Sequence, residues 1–145
     1  MIIIAYIVFL ALAAISALHL LWATGSSFPS KNRKILARTV IGFKGRDRMP
    51  PKWQFVVIAA LLLLDAVWAL VLGRVIFPAM PSWLAIAGGV ILILVFAARG
   101  IAGYTKSWRK IVPKQPFARY DRLYYSPLCI VLSLGFLALT YSYAA

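Results

Sequence analysis

The chain has 145 residues, of which 63% are hydrophobic and 13% charged, with a mean hydropathy of +0.90. Soluble domains carry about 25% charged residues, so too few polar side chains exist to cover a water-facing surface, and lipid is the expected solvent. The charge is 16 Lys+Arg against 3 Asp+Glu, a net of +13. No nucleic-acid recognition motif accompanies it, so nucleic acid is not an expected partner.

The chain opens on Met1-Ile2-Ile3-Ile4-Ala5, without the basic n-region of a secretory signal. We read the first stretch as a transmembrane helix. A bilayer core takes about 20 residues of helix, and four stretches are long enough: 2–23, 53–72, 83–101 and 124–143. Ser82 after Pro81 is the expected cap of the third. The expected fold is an all-α membrane protein, a compact bundle of four transmembrane helices in a single domain. The one cysteine, Cys129, leaves no intrachain disulfide.

The loops differ in charge. Residues 24–52 hold Lys31, Arg33, Lys34, Arg38, Lys44, Arg46, Arg48 and Lys52 against Asp47. Residues 102–123 hold Lys106, Arg109, Lys110, Lys114, Arg119 and Arg122 against Asp121, with Arg99 just before them. The remaining loop has Arg74 alone. The positive-inside rule then places both termini outside and both long loops in the cytoplasm, and the same charge attracts anionic lipid headgroups. Within the first loop, Ile35, Leu36, Val40, Ile41 and Phe43 interleave with Lys34, Arg38 and Lys44 at helical spacing. That pattern predicts a short amphipathic helix in the headgroup layer, apolar side down.

Polar residues inside the spans are costly and therefore informative. At ~1.5 Å of rise per residue, His19 lies about 6 Å from the basic end, Cys129 about 8 Å, Ser16 about 10 Å, Ser133 about 14 Å and Asp65 about 18 Å. An ionised Asp at a helix centre costs ~2.5–3.5 kcal/mol. Asp65 is therefore expected to face the bundle, either as a neutral carboxyl bonded to Ser133 or Ser16, or as a proton- or substrate-binding carboxylate. His19 lacks the neighbours a metal site needs, and no metal or cofactor is expected. A Cys129–His19 pair is the basis of an enzymatic reading, but no hydrolase, metal or nucleotide motif supports it. Ser126, Cys129, Ser133 and Thr140 share one face of the fourth span, a small polar stripe that permits close helix approach. Ala13 with Ala17, and Ala85 with Gly89, offer the same on the first and third. Trp22, Trp53, Trp83 and Trp108 are expected in an aromatic belt.

The fourth span opens through Phe117-Ala118-Arg119-Tyr120-Asp121-Arg122-Leu123-Tyr124-Tyr125-Ser126-Pro127-Leu128-Cys129. Asp121 and Ser126 suit N-terminal acceptors, and Pro127 suits a first turn. Arg99, Arg119 and Arg122 are expected to converge there on a phosphate or carboxylate.

Two segments carry a family likeness. Leu18-His19-Leu20-Leu21-Trp22-Ala23-Thr24-Gly25 resembles a His-x-x-Trp-Ala-x-Gly signature, with Ser26 standing where a second Gly is usual. Arg119-Tyr120-Asp121-Arg122-Leu123-Tyr124-Tyr125-Ser126-Pro127-Leu128-Cys129 resembles a second signature, and Arg99-Gly100 also fits. Both are similar to a family of small bacterial four-helix membrane proteins of unknown function. The resemblance implies a bacterial inner membrane protein in which His19, Trp22, Arg99, Asp121, Tyr125, Ser126 and Cys129 are family-typical. It implies no reaction. The expected function is non-enzymatic binding of an anionic lipid headgroup, or of a partner membrane protein, at the cytoplasmic face. The alternative is a small proton-coupled transporter or channel using Asp65 as a homo-oligomer.

Overall fold

A computed structural model describes residues 1–45 and 48–145. Arg46 and Asp47, both counted in the charge of the first loop, lie outside the described residues. Those described form helices and no strand: α1 Ile2–Ala23, α2 Arg33–Val40, α3 Lys52–Leu72, α4 Ser82–Ala102, α5 Lys106–Ile111 and α6 Phe117–Ala144. Four of them (α1, α3, α4 and α6) are long and apolar enough to cross a bilayer. The protein is a membrane protein, and much of its apolar surface faces outward, as at Ile3, Leu10, Leu94 and Val131.

The bundle is two helix pairs, α1 with α3 and α4 with α6, joined by lighter contacts between them. In lipid the driving force for such pairing is close packing and hydrogen bonding rather than removal of water. The buried residues of α1 are Ala5, Val8, Leu12, Ser16 and Trp22. This corrects the expected Ala13/Ala17 contact: those residues lie one position round the helix, and Ala17 is exposed. On α4 the expected pair does face inward, Ala85 and Gly89 being buried. A Cβ at Gly89 would overlap Thr140 Oγ1, and one at Gly88 would overlap the Trp68 ring. Trp68 Nε1 donates to the Ala85 carbonyl at 3.1 Å, pinning α3 to α4. Phe96 stacks on Phe136 at 5.7 Å between α4 and α6.

The helix ends follow local chemistry. Pro51 precedes α3 in extended conformation, compatible with a helix start because proline lacks only a hydrogen that would be unpaired there. Pro81, not Ser82, occupies the cap of α4, and no side chain caps it. At the end carrying both chain termini, Arg74 Nη2 donates to the Tyr143 carbonyl at 3.1 Å and its guanidinium lies 4.9 Å from the Tyr143 ring centroid. The one basic residue of that loop thus satisfies a carbonyl in the last turn of α6, where cations are favoured.

α6 differs from its expected form. It starts at Phe117, seven residues before position 124, and its turn Asp121–Tyr125 is a π-turn. Such a turn closes residue i+5 onto i, and the Ser126 N–H does bond to the Asp121 carbonyl. The next bond would need an N–H from Pro127, which has none. Tyr104 Oη donates to the orphaned Arg122 carbonyl instead, at 3.1 Å. Pro127 thus lies in the first turn of the α-helical segment Ser126–Ala144, as expected, directly after the π-turn.

Candidate functional site

The two basic loops fold into one cap over a single end of the bundle. The Lys44 N–H donates to the Ile111 carbonyl at 3.2 Å and the Lys114 N–H to the Gly42 carbonyl at 3.3 Å. Tyr125 Oη reaches the Thr39 carbonyl at 3.1 Å, tying α6 to the end of α2. Gly42, at φ +66°, lies so close to Phe117 that a Cβ would overlap its ring, and the Phe117 and Tyr125 rings sit 5.7 Å apart.

Beneath this cap, His19 and Trp22 fall in one cluster and Arg99, Asp121 and Ser126 in another. The first is on α1 and α3. Trp22 is 5% exposed and packs with Leu36 and Phe55. Its Nε1 donates to the Phe28 carbonyl at 2.7 Å. His19 lies 4.9 Å from the Trp22 ring and 6.3 Å from that of Phe55. His19 Nδ1 is 2.8 Å from the Ile15 carbonyl oxygen, an acceptor for an Nδ1–H. Arg33 donates to the carbonyls of Trp22 and Ser26, at 3.4 and 3.2 Å, holding the chain as it leaves α1. Ser26 Oγ accepts the Phe28 N–H at 3.1 Å, so the residue that departs from the signature still shapes this turn.

α2 belongs to the same cluster. Asn32 caps it by accepting the Ile35 N–H at 2.9 Å. Its buried side chains, Leu36 and Ala37, face protein; Ile35 and Phe43 remain exposed. The expected helix exists, but its principal apolar contact is Trp22 and Phe55.

The second cluster surrounds Asp121, which is fully buried. Arg99 Nη2 donates to Oδ1 at 2.7 Å and Arg109 Nη2 to Oδ2. Trp108 Nε1 adds a hydrogen bond to Oδ2 at 2.9 Å, and Ser126 Oγ lies 3.3 Å from Oδ1. Arg99 also lies over the Trp108 ring at 4.9 Å from its centroid. Arg109 extends the network to the carbonyls of Ala118 and Gly103, at 3.1 and 2.7 Å. Thr105 caps α5 by accepting the Trp108 N–H at 3.2 Å, which orients the indole. Gly103 permits all of this, since a Cβ there would overlap the Ser126 hydroxyl. A buried carboxylate is tolerable only when paired and fully hydrogen-bonded, and this one is.

Several expectations are corrected here. Asp121 does not cap α6; it receives side-chain donors from α4 and α5. Arg99 turns inward to it, whereas Arg119 and Arg122, three residues apart on α6, are exposed. The three arginines therefore do not converge, because Ala118, Asp121 and Tyr125 take the inner face of the helix. Cys129 is half-buried and packs against the main core with the α6 residues around it, while His19 belongs to the α1 cluster. Trp53 and Trp83 are 63% and 67% exposed, as a belt requires, but Trp22 and Trp108 are structural donors. Nor does Asp65 bond to either serine. Ser16 Oγ donates to the Ala59 carbonyl at 2.7 Å and Ser133 Oγ to that of Ile93 at 2.9 Å. Sequence reading placed Trp108 in the belt, Arg33 and Arg109 among the loop charges and did not single out Phe55, although Asp121, one of only 3 acidic residues, signalled that some of the nearby cations must turn toward it.

The family description "Protein of unknown function (DUF3995)" matches residues 12–136. The chain belongs to that family. The match runs from Leu12 to Phe136, both fully buried, and so takes in both clusters and the whole cap of this DUF3995 member. No curated protein and no solved structure matches the chain.

On the outer side of the Asp121 cluster, Arg119 and Arg122 line an open groove with Gln115, Leu123 and the edge of Arg109. Leu123 and Tyr124, 52% and 61% exposed, lie next to it along α6. Among the described residues, Asp121 is the only side-chain carboxylate at this end, and its oxygens are already occupied. The groove is thus cationic with an apolar rim. Paired guanidinium groups in this setting suit a phosphate oxyanion.

Proposed function

We propose that this is a non-enzymatic bacterial inner-membrane protein that binds the phosphate of an anionic lipid headgroup in the Arg119/Arg122 groove. The carrying observation is that these two arginines are exposed, three residues apart on one helix, and without an acidic partner among the described residues. Leu123 and Tyr124 then suit the boundary between headgroup and acyl chain. The positive-inside rule supports an orientation with both termini periplasmic and residues 24–52 and 102–123 cytoplasmic. The anionic leaflet surface adds about 1 kcal/mol of attraction per nearby Lys or Arg.

The test is thermal unfolding of the detergent-solubilised protein with added phosphatidylglycerol. A ligand that binds only the folded state raises the midpoint. The wild type is expected to show that rise and R119Q/R122Q to lose most of it. Equal shifts in both proteins would overturn the assignment. A small proton-coupled transporter or channel is the second reading, supported by Asp65, which lies within α3 and receives no hydrogen bond from any described residue. Proton flux in proteoliposomes that is unaffected by Asp65→Asn would remove that carboxyl from consideration.

A further inference from the structure

The positive charge around the Arg119/Arg122 groove exceeds what a phosphodiester brings to it. Arg99 and Arg109 share one carboxylate, that of Asp121, so their cluster keeps one positive charge. Arg109 also lines the groove, which carries that surplus to the ligand's side. Arg119 and Arg122 add two more, since neither side chain has a partner among the described residues. A phosphodiester such as that of phosphatidylglycerol carries a single negative charge. A phosphomonoester carries about 1.5 to 2 at pH 7.

Hydrogen-bond donors are in surplus as well. Each free guanidinium presents a fork for two oxygens, and a phosphodiester has only two unesterified oxygens to offer both arginines. Gln115 Oε1 accepts the Arg119 N–H at 3.2 Å, which leaves its amide NH2 as a further donor on the groove. Arg109 Nε and Arg99 Nη1 are buried without an acceptor among the described residues, so Asp121 does not use up the donors of its own cluster. A phosphomonoester supplies a third unesterified oxygen together with the second charge.

We infer, resting on the lipid-binding reading of this groove, that it takes the phosphomonoester end of a membrane lipid in preference to a phosphodiester headgroup. Phosphatidic acid has that chemistry, and so does soluble glycerol 3-phosphate. Leu123 and Tyr124, exposed along α6 beside the groove, favour the lipid, because they give its acyl chain an apolar surface.

The experiment titrates the full chain in detergent with phosphatidic acid or phosphatidylglycerol of matched acyl chains, reading the rise in unfolding midpoint. At pH 7.5 the wild type is expected to bind phosphatidic acid about fivefold or more tightly, the effect of one extra charge beside a cation. The second proton of a phosphomonoester leaves near pH 6, and the charged side chains lining the groove are all arginines, which stay protonated. The preference is therefore expected to shrink toward unity at about pH 5, with phosphatidylglycerol binding unchanged. R119Q/R122Q is expected to lose the preference at both values. Equal affinity for the two lipids at pH 7.5, both lost in R119Q/R122Q, would overturn the inference and leave the lipid groove standing. Undiminished binding of both lipids by R119Q/R122Q would remove the groove itself, and the inference with it. Glycerol 3-phosphate is expected to displace phosphatidic acid only in large excess; equimolar displacement would overturn the lipid as the source of the phosphate.

Discussion

Arg99 Nη2 and Asp121 Oδ1 meet at 2.7 Å, joining the last turn of α4 to the π-turn of α6. The same carboxylate also takes hydrogens from Arg109 and Trp108, so one buried acid gathers three helices at the basic end. Removing the acid leaves two guanidinium groups without their counter-charge. We expect Asp121→Ala to cost about 3–5 kcal/mol, read as a lowered unfolding midpoint in detergent. Arg99→Gln should cost less, because Arg109 and Trp108 still hold the carboxylate. Additive losses in the Arg99→Gln/Asp121→Asn double-mutant cycle would show the pair to be uncoupled.

Gly103 sets how closely α4 approaches α6. Gly103→Ala places a methyl group on the Ser126 hydroxyl, and such overpacking typically costs about 1–3 kcal/mol. Ser126→Gly in the same chain should restore part of that loss. If Gly103→Ala unfolds at the wild-type temperature, the close approach is not what that position requires.

Tyr125 ties the fourth span to the first basic loop through the Thr39 carbonyl. Tyr125→Phe removes one hydrogen bond, a loss of about 0.5–1.5 kcal/mol. Its sharper expected signature is local: faster proteolysis after the basic residues of residues 24–52, with the spans still protected. Uniform loss of protection across the chain would contradict a local role.

Orientation is testable on its own. A periplasm-dependent reporter enzyme fused after Ala145 should be active, and the same reporter inserted near Lys110 should be silent. The reverse pattern would place the basic cap outside.

The sequence made the spans legible because hydropathy and length are nearly sufficient conditions for a membrane helix. The ends of α1 and α3 fall at or within one residue of expectation for that reason. The start of α6 was not legible. Arg119, Asp121 and Arg122 make residues 117–123 too polar for a span, yet Asp121 is neutralised by partners distant in sequence, and a π-turn absorbs the proline. Depth arithmetic put His19 near the basic end, and the family-like segments put Arg99 and the entrance to the fourth span there too, but depth carries no information on azimuth. Helix pairing then sent His19 and Trp22 to α3, and Arg99 and Asp121 to each other. The same limit applied to Asp65, whose expected serine partners each donate to a nearer backbone carbonyl.

In the proposed function the exposed arginine pair, rather than diffuse positive charge, holds the lipid. Native mass spectrometry with phosphatidylglycerol and phosphatidylcholine tests it on three proteins: wild type, R119Q/R122Q, and K106Q/K110Q, which removes equal charge elsewhere in the same loop. Phosphatidylglycerol is expected to be retained by the wild type and K106Q/K110Q and lost from R119Q/R122Q. Equal loss from both double variants, or retention by all three, would contradict it.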